Sequence, residues 1–339
     1  MKKMHVALVS ALSLLAALAV KPGWADEAKM ASGAAAAGKL EKIADDREHD
    51  IRVFRPDGSD IQGDAAFAAM PAVDLSIWVA GNQFFAMPDV IHAFQDRFPA
   101  GKKPSVGLIT LPPGKVISAM LNGGWEFRGK TLRAEPDIWG QVALEPAQQL
   151  KQAGLAKDYL VYMHNQLVLM VAKGNPKHVT GIASLVRPDL RVMLPNPVKE
   201  GIMREYARKV LEDHHEWQKL SAGKECESCE GAPNVWFTSV HHREIPAALQ
   251  AGKTDVGIVW ATEVQNALKG GAQVDAVALP PQDSMINSVN YYGGSVPGSA
   301  HPQMAKDYLR FLASPAGQQA YAKHGFLPAS KADLKQKQL

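Results

Sequence analysis

The chain has 339 residues, with 37 Lys and Arg against 34 Asp and Glu and 46% hydrophobic residues, enough for two domains with cores of their own. Three of the lysines fall in Met1–Ala25, and without that segment bases and acids balance at 34 each. A general nucleic-acid-binding role therefore has no electrostatic support, and any anionic ligand must be held by local donors rather than by the overall field.

Lys2 and Lys3 precede an apolar run from Val6 to Val20, and Gly23 and Ala25 put small residues at −3 and −1 of a cut after Ala25. This is the pattern of a cleavable secretory signal peptide over residues 1–25, with an apolar run too short to span a bilayer comfortably. It predicts a soluble periplasmic protein, and the lack of a Cys near the cut argues against a lipid anchor there. Residues 26–73 are Ala-rich, then charged, then Gly- and Asp-rich, and read as a poorly ordered N-terminal extension. Within them, only Ile51–Phe54 is a strand candidate, at an edge.

Order is expected from about Asp74. Ser76–Ala80 is a short apolar strand, Gly81-Asn82-Gln83 a turn, and Pro88 suits the first turn of a helix to Phe98. Val106–Leu111 is a second strand, ending at Pro112-Pro113-Gly114 before a helix through Leu121. Asp137–Trp139 ends a third strand, and Pro146–Ala153 is a further helix. This alternation predicts an α/β fold with mostly parallel sheets. Leu167–Ala172 and Leu190–Leu194 are strands, the second broken by Pro195-Asn196-Pro197. Glu200–Asp213 is the clearest amphipathic helix, with Ile202, Met203, Tyr206, Val210 and Leu211 on one face.

Val235–Glu263 then reads as a helix over Glu244–Gln250, a stop at Ala251-Gly252, a buried strand over Asp255–Trp260, and Thr262 as the N-cap of a helix over Glu263–Leu268. Val274–Leu279 and Ser288–Tyr292 are strand candidates, followed by helices over Pro302–Leu312 and Pro315–His324.

Several of these runs resemble the type 2 periplasmic solute-binding proteins of ABC importers, most closely the molybdate/tungstate-binding branch. The matching stretches are Asn165–Ala172 with Lys173-Gly174-Asn175-Pro176, Val192–Pro197 with Gly201–Leu211, Gly252–Glu263, and Pro302–Phe326, together spanning about Ser76 to Ala329. The resemblance implies two α/β lobes, 74–164 plus 284–329 and 165–283, joined by two hinge strands. It also implies a ligand trapped between them, a membrane permease and its ATPase as partners, and a monomeric protein with no cofactor. The sequence departs from the branch in three places: Gly81-Asn82-Gln83 where adjacent serines are usual, Pro112-Pro113-Gly114 where a Ser-rich turn is usual, and Trp260 where a Tyr is usual.

Tetrahedral oxyanions can be held without counter-ions by backbone N–H groups at helix N-termini and by neutral side-chain donors. The turns at strand ends that could supply them contain Asn82, Gln83, Gly114, Asn196, Ser239 and Thr262, for several of which plain capping is the competing reading. Arg243 could add a bidentate fork, or could instead be a solvated helix residue or pair with Glu244 or Glu263, and Trp260 could be a bulky N–H donor. These eight residues are the candidate ligand-binding set, with a molybdate-like oxyanion as the first ligand reading and a small organic solute or metal complex as the second. Cys226 and Cys229 read as a short-loop disulfide; with His241 and His242 they could instead form a soft-metal site of a metal-handling protein. A sensory role fits the same fold. No G-x-S-x-G, H-E-x-x-H, P-loop or dinucleotide fingerprint is present, so the sequence offers no set of catalytic residues.

Overall fold

The computed structural model describes residues 39–224, 230–239 and 242–339, which belong to one compact unit. Among the described residues two main sheets carry the fold. The larger runs in the order Leu327–Pro328, Asp158–His164, Asn290–Ser295, Ile138–Gln141, Leu75–Ala80, Val106–Leu111, Ile51–Phe54, Asp60–Gln62, with Lys337–Gln338 also pairing Asp158–His164. The smaller runs Val235–Phe237, Val192–Leu194, Val256–Trp260, Leu167–Ala172, Val274–Val277.

Both sheets are parallel at their centres. Leu75–Ala80 pairs parallel with Val106–Leu111 and Ile138–Gln141, and Val192–Leu194 pairs parallel with Val235–Phe237 and Val256–Trp260. These strands are near-continuous apolar runs because helices or loops cover both faces; all six residues of Val106–Leu111 are buried. Antiparallel strands flank these parallel centres, so each sheet is mixed. The chain crosses between the sheets from Asp158–His164 into Leu167–Ala172, and again from Val274–Val277 to Asn290–Ser295.

The expected poorly ordered extension is corrected over residues 39–73. Ile51–Phe54 lies inside the larger sheet, antiparallel to Val106–Leu111 on one side and to Asp60–Gln62 on the other. Ile51 and Phe54 are fully buried, and Phe67 and Met70 of the segment that follows are 3% exposed. Glu41–Ile43 pairs parallel with Trp125–Phe127 in a small third sheet. The apolar residues of this segment are spread over short elements, so they form no period of their own, yet Ile43, Ile51, Val53, Phe67, Met70 and Val73 pack in the core with Trp78 and Trp125.

Two helix starts also differ from expectation. Trp260 is the N-cap of Ala261–Lys269, so Thr262 lies inside that helix rather than capping it. The expected helix over Glu200–Asp213 opens as a π-helical stretch, Ile202–Ala207, before the α-helix Arg208–Asp213; the Arg208 N–H bonds to the Met203 carbonyl five residues back. Wide turns of this kind recur at functional sites.

Candidate functional site

Turns at the carboxyl ends of the parallel strands face one another between the two sheets and enclose a cavity of about 520 Å³. This is where open α/β sheets place ligands. The larger-sheet wall carries Arg47, Gly81, Asn82 and the turn Pro112–Lys115. The opposite wall carries Lys199, Glu200 and the π-helical residues Arg204, Glu205 and Tyr206, with His242, Arg243 and Trp260. Pro112 and Pro113 contribute no N–H groups, so the first turn of Pro113–Asn122 has fewer donors than an ordinary helix start. Trp260 packs edge-on to Tyr206, with ring centroids 5.4 Å apart and planes at 70°, which gives this wall an apolar surface.

The inward face is cationic. Arg47, Lys115, Lys199, Arg204 and Arg243 line the cavity against the carboxylates of Glu200 and Glu205. The carboxylates that hold two of these cations sit behind them. Asp50, 1% exposed, is 2.5 Å from Arg47, and Glu41 is 2.6 Å from Lys115. Burial raises the Asp50 pKa against the pull of Arg47. Arg243 reaches across the cleft: Nη2 donates to the Gly81 carbonyl at 3.4 Å, and its guanidinium lies 4.6 Å from the Phe85 ring centre. On its own side its Nε is 3.7 Å from Glu263 Oε1.

Beneath the second wall lies a buried ionic chain, Glu200–His242–Glu263. His242 Nδ1 meets Glu200 Oε2 at 2.5 Å and Nε2 meets Glu263 Oε1 at 3.2 Å. Glu200 also accepts from the Asn196 N–H at 2.9 Å, from the Thr238 hydroxyl, and from the His242 N–H at 2.8 Å. Burial alone would raise the Glu200 pKa, but the bonds from His242 and Thr238 bring it down to about 2. Burial would likewise lower the His242 pKa; the two carboxylates raise it instead, favouring the protonated ring.

Of the eight residues named from sequence, Asn82, Gly114, Arg243 and Trp260 line the cavity. The other four bond within the protein. Gln83 is fully buried and its Oε1 accepts from the hydroxyls of Tyr162 at 2.8 Å and Tyr321 at 3.1 Å. Asn196 Oδ1 accepts from the N–H groups of Val198 and Lys199, and its Nδ2 donates to the Thr238 carbonyl, so it shapes the turn. Ser239 bonds Glu244 through both its N–H and its hydroxyl. The Thr262 hydroxyl accepts from Asn165 Nδ2 at 3.1 Å. Asn165 sits at the crossover and also approaches the Tyr291 hydroxyl at 3.4 Å, while Asn82 donates to that hydroxyl at 2.7 Å. Cys226, Cys229 and His241 lie outside the described residues. Among the described residues no group of three or more His, Cys, Asp or Glu side chains could hold a metal ion, and His242 is bonded to carboxylates.

Arg47, Lys115, Lys199, Arg204, Glu200 and Glu205 were missed from the sequence. Lys115 directly follows the turn already in view, whereas Arg47 falls in the segment read as an extension.

The profile of the bacterial extracellular solute-binding proteins matches residues 75–327, three-quarters of the chain. The chain belongs to that family. Among its relatives, the molybdate-binding protein ModA of Mycobacterium tuberculosis is 21% identical over 220 residues, 63% of this chain and 74% of the relative. The sulfate-binding protein of Escherichia coli is 23% identical over 191 residues, 48% of this chain and 50% of the relative. Among solved structures, the periplasmic molybdate-binding protein of Azotobacter vinelandii superposes with a TM-score of 0.54 at 15% identity, covering 76% of this chain and all of that one. Iron-bound HitA from Pseudomonas aeruginosa gives 0.54 at 17% identity, covering 77% and 91%. The fold is thus the two-lobe fold of the periplasmic binding proteins, and this solute-binding protein carries its cavity between its two sheets. No helix among the described residues is long and apolar enough to cross a membrane.

Proposed function

We propose that this solute-binding protein is exported to the periplasm, captures a small anion in the cleft between its sheets, and delivers it to an ABC permease and its ATPase. The observation that carries this reading is the cavity wall, which five Lys and Arg residues line from both sides alongside two Glu. A low-dielectric cleft lined by one sign of charge concentrates the opposite sign, and the fixed forks of Arg47, Arg204 and Arg243 suit carboxylate, phosphate or other oxyanions. The signal-peptide pattern at residues 1–25 supports export, and the names of the relatives support capture of an oxyanion. The lobes would close about the two crossovers, a hinge motion of the kind such proteins use.

The test is a thermal-shift screen of the purified chain against molybdate, tungstate, sulfate, phosphate, mono- and dicarboxylates, and neutral sugars and amides of similar size. A rise in Tm with at least one anion and with no neutral solute is expected, because a ligand that binds only the folded state stabilises it by mass action. A rise confined to neutral solutes, or no rise at all, would refute the reading.

A further inference from the structure

Resting on that reading, we infer that the ligand is an organic anion with two separated acidic groups, a dicarboxylate or a phosphono- or phospho-carboxylate, rather than one tetrahedral oxyanion. Volume is the first observation. Four oxygens at the share of liquid volume taken by a water, about 30 Å³ each, make a tetrahedral ion of about 120 Å³. Before the lobes close, the cleft is about 520 Å³, roughly four times that, which leaves room for a longer anion.

The second observation is where the charges stand. Arg47 and Lys115 rise from the larger-sheet wall, and Lys199, Arg204 and Arg243 from the other. Arg47 is paired with Asp50 and Lys115 with Glu41, which fixes where these two side chains stand. Arg204 donates to the Val198 carbonyl at 3.0 Å, and its charge acts on the neighbouring Glu205 carboxylate. An anion with an acidic group at each end can pair with a cation on each wall at once.

The third observation is that few of the neutral donors named from sequence are left for a ligand. Asn196, Ser239 and Thr262 bond within the protein, Gln83 is fully buried and bonded through Oε1 while its Nε2 has no partner among the described residues, and Pro112 and Pro113 lack N–H groups. Val142 on one wall and Ile202, Tyr206 and Trp260 on the other add apolar surface that suits a short carbon chain.

Calorimetric titration of the full chain with succinate, glutarate, phosphonoacetate, butyrate, molybdate and sulfate tests this. At least one two-acid probe should bind at least about tenfold more tightly than butyrate and than either inorganic ion. Lys115→Gln and Arg204→Gln, one on each wall, should each weaken the two-acid probe about ten- to a hundredfold, the loss of a bond to a charged group. Molybdate or sulfate binding as tightly as every two-acid probe would overturn this inference and leave the anion reading standing. Butyrate binding as tightly, or neither variant weakening the two-acid probe, would also overturn it. No binding by any of the anions would overturn both.

Discussion

His242 is the residue on which the second wall turns. Its ring is buried between Glu200 and Glu263, and both carboxylates stay buried if it is removed. Breaking a buried pair by taking one partner costs about 3–5 kcal/mol, so His242→Ala should lower the unfolding free energy by about that much in urea titrations. The folded pKa of His242 lies above its usual value, so its stabilisation is complete below about 6.5 and is lost as pH rises through the raised folded value. Glu200 is the mirror case: its stabilisation is complete above about 4.5 and is lost as pH falls toward about 2. The Tm gap between wild type and His242→Gln should therefore be widest between about pH 4.5 and 6.5 and shrink as the solution is made alkaline. A gap that widens on the alkaline side would show that the ring is neutral in the folded state.

Single residues were the level at which the sequence was least legible. The site turns could be placed because Gly, Pro and Asn punctuate strand ends, so Asn82, Gly114, Arg243 and Trp260 fell on the cavity wall. Whether Asn196 or Ser239 points at a ligand or back into its own turn depends on one side-chain torsion, and a capping residue looks the same in sequence either way. The pairing of Glu200 with His242, 42 residues away, has no local signal at all.

Elements were more legible than residues wherever an apolar run was long enough to have a period. The strands Leu75–Ala80, Val106–Leu111, Leu167–Ala172 and Val256–Trp260 emerged within a residue or two of their sequence bounds. The exception is residues 39–73, whose elements are three to seven residues long and whose charged turns dominate the composition. That segment contributes the strand Ile51–Phe54 and the cavity residue Arg47. A chain starting at Asp74 would leave Val106–Leu111 with an unpaired edge and uncover the partners of Ile51, Phe54 and Phe67. It should be insoluble or lack a cooperative melt, whereas a melt like that of the full chain would show the segment to be dispensable.

The central strand of the smaller sheet offers a second test at this scale. A Cβ at Gly257 would lie 2.6 Å from Ile245 Cγ2 and 2.9 Å from the Met193 carbonyl oxygen. Helix Ile245–Gln250 packs that closely on the strand ending at Trp260, so the turn bearing His242 and Arg243 is set against the cavity. Gly257→Ala should cost about 1–3 kcal/mol by overpacking and weaken ligand binding through that displaced wall. Unchanged stability by urea titration would mean the helix has room to move.

For the whole molecule, the order of elements and the matched runs carried the family, and the cavity formed where the parallel strands of both sheets end. Fold and ligand separate at this scale. The topology accounts for a cleft between two sheets; the side chains that line it account for what enters. Here Lys and Arg line both walls alongside Glu200, Glu205 and Asn82, with Trp260 packed edge-on to Tyr206 on the second wall. The central claim is that an anion bridges the two walls. Its most direct test is calorimetric titration of wild type, Lys115→Gln and Lys199→Gln, all as full chains, with the anion that gives the largest thermal shift. Each variant should melt close to wild type and bind about tenfold or more weakly, with wild-type affinity falling as salt is raised. Undiminished, salt-independent binding in both variants would contradict the account.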